Sequence, residues 1–224
     1  MQNLTILQQL TLSVIPIILA LTVKEGLQAI CACYLGDSTP KQFGRDTLNP
    51  TKHIDVLGTI LFPLCCVLSN IPILLGWAKP VPIVARNLRH PRRDQVLIAI
   101  AGPGANLLMA LMWALSAKLF YYLSQNSIYL SADLIRFDFL LLMAQKGIMI
   151  NAVLAIFHLL PIPPLDGSKI LAGFLSPKWA SAYMQISKFS LIIFILLLMT
   201  RAFQWLILPG ATLIWTSMIA IIQF

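Results

Sequence analysis

Residues 4–35 form one apolar run whose only charged side chains are an adjacent pair, Lys24 and Glu25. A helix over this run outreaches the hydrocarbon core of a bilayer, which about 20 residues suffice to cross. Such a run either spans a membrane or fills the centre of a large soluble core. Composition decides between the two. The chain is 58% hydrophobic and 11% charged, with a mean hydropathy of +0.83. A soluble domain carries about 25% charged residues. Half that amount leaves too little polar surface to face water, so lipid must cover much of the molecule.

Further apolar runs follow at about 56–77, 95–123, 134–160, 183–200 and 202–224. The expected fold is an all-α integral membrane protein, a bundle of about five to six transmembrane helices. Pro63 and Pro72 interrupt the second run. The proline-spaced connection after it suits extended chain rather than helix. A short extended, β-like or re-entrant connection is therefore predicted between the first and third runs. There is no internal repeat, and the N-terminus lacks the basic stretch of a cleavable signal peptide. The chain reads as one membrane-embedded domain over 1–224, with a core at about 20–175 and C-terminal helices at about 178–224.

Net charge is +8, from 16 Lys and Arg against 8 Asp and Glu. The basic residues gather in short connections, the bias of cytoplasmic membrane loops rather than of a nucleic-acid surface. If the second run crosses fully, the two sides hold eight and five Lys and Arg; if it dips and returns, they hold eleven and two. The positive-inside rule favours the dip, with the basic connections in the cytoplasm. Cys31, Cys33, Cys65 and Cys66 lie in apolar runs without a CxxC pair and read as small packing residues.

Ionisable groups at membrane depth cost from about 2.5 kcal/mol upward and mark functional positions. Glu25 is the only glutamate in the chain, and Asp166 follows the fourth run in the turn PIPPLDG. Asp138 and Lys146 lie in the fourth run itself. On a helix, Lys24 and Gln28 share a face, with Glu25 offset by about 100°. That is the spacing of an HExxH zinc motif, in which two histidines bind metal and the glutamate is general base. Here the five residues are Lys24-Glu25-Gly26-Leu27-Gln28, and both histidines are missing.

Five segments in consistent order, KEGLQ with its surroundings, LGDSTPK…GRDTLNPTKHID, GWAKPVPI, AGPGAN and FHLLPIPPLDG, cover about residues 20–175. Together they resemble one branch of the bacterial and archaeal site-2 proteases, intramembrane zinc peptidases of the M50 type. The resemblance implies three core spans, a zinc-activated water, and cleavage of transmembrane segments after they unwind. A metal lowers the pKa of bound water to about 7, and a carboxylate can shuttle the proton. It implies Glu25 as the general base, Asp166 as the third metal ligand, and Lys24 and Gln28 at the two histidine-ligand positions. His158 stands where the family has an asparagine that helps hold the substrate. Asn106, Trp77, Lys79, Pro80 and Val81 fall at substrate-binding positions. His53 matches a histidine common in this branch, and His90 lies in a basic loop and is expected to be solvated.

The departures bear on chemistry. A charged lysine has donors and no acceptor, and an amide oxygen is a poor zinc ligand beside imidazole. No cofactor is therefore expected, and the implied function is a catalytically inactive homologue of the family. Its partners would be the lipid bilayer and the transmembrane helices of other proteins, in a bacterial or archaeal inner or plasma membrane. A Lys24–Asp166 bridge would offset the charge a metal once neutralised. Two other readings stay open. One is an active zinc metalloendopeptidase, with a site rebuilt around His158, Asp166 and Glu25 or with ligands changed deliberately. The other is a transporter using Lys146, Lys24, Glu25 and Asp166 as a charge relay.

Overall fold

The computed structural model describes residues 6–68, 76–126, 131–200 and 202–222. In order these form α1 (Ile6–Tyr34), α2 (Thr39–Gln42), a 3-10 turn (Pro50–Lys52) and a π-helical stretch (Val56–Leu61) running into α3 (Phe62–Leu68). They continue as α4 (Pro91–Asn126), α5 (Ser131–Leu159), α6 (Asp166–Phe174), α7 (Pro177–Met184), α8 (Ser190–Met199) and α9 (Ala202–Ile222). No strand occurs among the described residues.

Four described helices contain stretches long and apolar enough to cross a membrane: Leu10–Tyr34, Pro91–Gln125, Phe137–Leu159 and Gln204–Ile222. The apolar run at 183–200 is delivered in pieces instead. A 3-10 turn at Gln185–Phe189 separates α7 from α8, and α8 has 10 residues. Ten helical residues reach about 15 Å, half of the roughly 30 Å hydrocarbon core.

Small residues let the long helices approach closely. Leu12 of α1 packs with Trp113, Ala114 and Ala117 of α4 and with Met143, Ala144 and Ile148 of α5. Ala152 and Val153 of α5 meet Ile207 and Ala211 of α9 in a second cluster. A Cβ on Gly147 would lie 2.5 Å from the Trp113 ring. Where lipid rather than water surrounds helices, this close van der Waals fit drives their association. The outside is apolar in turn: Val14, Ile15, Leu108, Met112, Leu115, Leu119 and Leu213 are all exposed. Asp138 and Lys146 of α5 are exposed as well.

Helix α1 ends in a Schellman motif. Gly36 takes φ 115°, its amide donates to Cys33 O, and the Asp37 amide donates to Ala32 O. Only glycine adopts that backbone at low cost. The chain then turns back beside the helix it has just left.

The second apolar run lies partly outside the described residues, Pro72 included, but its two ends meet. The Trp77 amide donates to Gly58 O at 3.2 Å, and Thr59 Oγ1 donates to Trp77 O at 2.9 Å. The Trp77 ring covers Gly58, where a Cβ would sit 2.4 Å from it. The described ends of the run, at Gly58 and Trp77, therefore lie side by side. The connection after it, residues 76–84, has neither helix nor ladder. Side chains and neighbouring loops hold it instead, so the extended expectation holds without strand pairing.

Gly147→Ala should lower stability by about 1–3 kcal/mol, the usual cost of overpacking. Unfolding in mixed micelles, with Gly104→Ala as control, checks this, because a Cβ at Gly104 meets nothing within 4 Å.

Candidate functional site

Helix α1 brings Lys24, Glu25 and Gln28 to a point where α4, α6 and the 76–84 segment converge. All three are buried, as is Asp166 at the start of α6. The i, i+4 spacing lets Lys24 Nζ donate to Gln28 Oε1 at 3.3 Å. Lys24 Nζ also donates to Glu25 Oε1 at 2.8 Å and lies 3.4 Å from Asp166 Oδ2. One ammonium thus faces both buried carboxylates and the amide oxygen. The Lys24–Asp166 contact anticipated from charge balance is present.

The surrounding groups complete the cluster. The Val81 amide donates to Glu25 Oε2 at 3.2 Å. Gln28 Nε2 donates to Ile98 O of α4 at 3.2 Å. Lys169 Nζ lies 3.3 Å from Asp166 Oδ1, and His158 Nδ1 lies 3.7 Å from Asp166 Oδ2. A buried carboxylate without a partner costs several kcal/mol, and here each carboxylate has a cation within ion-pair range.

Glycines set how closely the backbones can approach. A Cβ on Gly102 would fall 2.6 Å from Gln28 Nε2 and 2.9 Å from Asp166 Oδ2. Gly102 of α4 therefore presents bare backbone to the cluster. A Cβ on Gly167 would fall 2.1 Å from Leu159 O, so glycine lets α6 start directly against the end of α5. A Cβ on Gly26 would meet Thr47 O at 2.7 Å, which draws the loop after α2 against α1.

The loops form a scaffold around the 76–84 segment. His53 is buried, its Nε2 within 2.8 Å of Thr47 O, and its carbonyl accepts the Lys79 amide at 2.9 Å. Arg45 reaches the Lys52 carbonyl. Asp37, fully buried just beyond α1, accepts the Val84 amide at 2.6 Å and Asn87 Nδ2 at 3.0 Å. It also accepts the Thr39 amide at 3.0 Å and the Thr39 hydroxyl at 2.5 Å.

Of the other sequence candidates, Trp77 is exposed on one face and stacks near Phe62 at 5.3 Å. Asn106 is fully buried in α4, and neither amide atom has a partner among the described residues. His90 is exposed. Cys31, Cys33 and Cys65 are free thiols. Lys169 was missed by sequence reasoning, although three residues after Asp166 on a helix is a facing position. Asp37 was missed too, since a turn aspartate ordinarily caps only its own loop.

Zinc would need several good donors at this point. Lys24 presents an ammonium, the Gln28 oxygen accepts from it, and Asp166 already faces two lysines. Among the described residues no group of three or more His, Cys, Asp or Glu side chains is placed to hold a metal. The donor set does not fit a zinc centre.

No protein-family model matches the chain, and neither does any solved structure. One curated relative is 34% identical over 197 residues, spanning 88% of this chain and 84% of its own length. It is the Bacillus subtilis (strain 168) protein named "Putative zinc metalloprotease YwhC". The fold is that of a helical membrane protein, and by its identity with that relative over most of both chains the chain belongs to the relative's zinc metalloprotease family.

Burial raises the Asp37 carboxyl pKa, but hydrogen bonds from Thr39, Val84 and Asn87 outweigh it and hold the pKa below the usual value. Its folded pKa lies under its unfolded one. The stabilisation is therefore complete above about pH 4 and is lost as pH falls through the folded value. Asp37→Asn should unfold at a lower temperature at neutral pH and lose less on acidification than the parent. Thermal unfolding in detergent across a pH series checks both.

Proposed function

We propose that this chain is a site-2-protease-like homologue that has exchanged its intramembrane zinc for a lysine and has lost peptidase activity. The observation that carries the reading is the position of Lys24 Nζ, within 3.4 Å of Glu25, Gln28 and Asp166 oxygens alike. The ammonium gives each oxygen a positive partner without offering a site for activated water. Glu25 is paired with Lys24 and accepts the Val81 amide, so both of its oxygens are already engaged. Asp166 is held between Lys24 and Lys169.

What remains is a scaffold for binding. Residues 76–84 pass beside Glu25 and are fixed by backbone hydrogen bonds at Trp77, Lys79, Val81 and Val84. An extended segment so held can pair with an unwound transmembrane segment by strand addition. The protein accordingly engages transmembrane helices of other proteins without cutting them. Trp77, Lys79, Pro80 and Val81 form the contact, and Asn106 and His158 act from the bundle side. The whole chain works as one membrane-embedded unit, its core at about 20–175 and its C-terminal helices at about 178–224. It sits in a bacterial or archaeal plasma membrane. The meeting of Gly58 and Trp77 supports the topology that puts eleven Lys and Arg on the cytoplasmic side.

Elemental analysis of the detergent-purified chain should find no zinc above the blank. A Lys24→His/Gln28→His double variant should bind close to one zinc per chain, since that change restores two imidazoles beside Asp166. Zinc near one equivalent in the unaltered chain would overturn the proposal and direct attention to His158, Asp166 and Glu25.

A further inference from the structure

Away from the lysine-centred cluster, α4 and α6 border a cleft of about 570 Å³. Its walls are apolar, from Val96, Leu97 and Phe174, and its rim is basic, from His90, Arg92 and Arg93. The floor is fixed where α6 abuts α4: a Cβ on Gly173 would fall 2.1 Å from Val96 Cγ2. Arg92 braces the rim, its Nε donating to Gly173 O at 2.8 Å and its Nη2 to Leu175 O. Arg93 uses only Nε, on Asp94 Oδ1 at 3.1 Å, and its side chain is 65% exposed. Its terminal nitrogens have no partner among the described residues.

The position of the cleft indicates the ligand. It opens at Pro91, at the N-terminal end of the α4 stretch long and apolar enough to cross a membrane, so its basic residues gather at an end of that stretch. Phe174, which lines it, is 78% exposed. A free anion would satisfy the arginines but leave the apolar walls wet. A neutral lipid would fill the walls and leave the arginines without a net charge to meet. Only a ligand with an anionic head and an acyl tail matches both.

We infer that the α4–α6 cleft is a binding site for the phosphate headgroup and proximal acyl chain of an anionic phospholipid. Basic pockets between membrane helices recognise such headgroups, and each Lys or Arg near the surface contributes measurably to the attraction. The inference needs only the membrane fold and is independent of the state of the zinc position.

The full chain, in neutral detergent, is incubated with equal amounts of phosphatidylglycerol and phosphatidylcholine, and retained lipid is counted by native mass spectrometry. One phosphatidylglycerol should be retained in preference to phosphatidylcholine by about tenfold. His90→Gln/Arg93→Gln should bring the two lipids within about twofold. A second variant, Lys41→Gln/Lys52→Gln, removes two charges from another loop and should keep the preference. A third arm adds glycerol phosphate, which should leave the retained lipid in place because it cannot fill the walls. Equal retention of both lipids by the parent would overturn the inference. So would loss of preference in the Lys41/Lys52 variant, which would mean diffuse surface charge, or displacement by glycerol phosphate, which would mean a plain phosphate site.

Discussion

The Lys24 ammonium is the constraint on which the centre of this protein depends. Two carboxylates, Glu25 and Asp166, are buried where water is scarce, and an ion pair with one member removed there costs about 3–5 kcal/mol. Lys24 Nζ sits 2.8 Å from one and 3.4 Å from the other. The carboxylates arrive from helices far apart in sequence, so this one side chain ties α1 to α6 across the bundle. Gln28 extends the tie to α4 through the Ile98 carbonyl. A metal ion would perform the same joining with more charge and stricter geometry. On the proposed reading, the lysine keeps the join without the open coordination position that zinc catalysis needs.

The scaffold around this point is built for close approach. Gly102, Gly167 and Gly26 each sit where a Cβ would collide with another element. Elsewhere alanines bring α1, α4, α5 and α9 together. The loop scaffold through Asp37 and His53 then holds the 76–84 segment against α1 without a sheet. None of this close packing depends on which cation sits between Glu25 and Asp166.

Much of this was legible in the sequence because it follows from solvent. Apolar length and the shortage of charge dictated a helical membrane bundle. The i, i+4 spacing of Lys24 and Gln28 put them on one face, and charge balance pointed from Lys24 to Asp166. Other features were not readable. The run at 183–200 is as apolar as a span, yet a 3-10 turn divides it, and hydropathy carries no information about such a break. The approach of Lys169 to Asp166 depends on where α6 starts. The backbone contacts of Asp37 with Val84 and of Gln28 with Ile98 join residues 47 and 70 positions apart, and such pairings follow only from the packed fold.

The central claim, that Lys24 neutralises the two buried carboxylates, is tested most directly by a mutant cycle read as unfolding free energy in mixed micelles. One leg is Lys24→Met, the other Glu25→Gln with Asp166→Asn, and the third variant combines all three changes. The account predicts that Lys24→Met alone loses about 3–5 kcal/mol. It also predicts that neutralising the carboxylates in the same chain recovers most of that loss, a strongly non-additive result. Additive losses would contradict it, because Lys24 would then contribute nothing through Glu25 and Asp166.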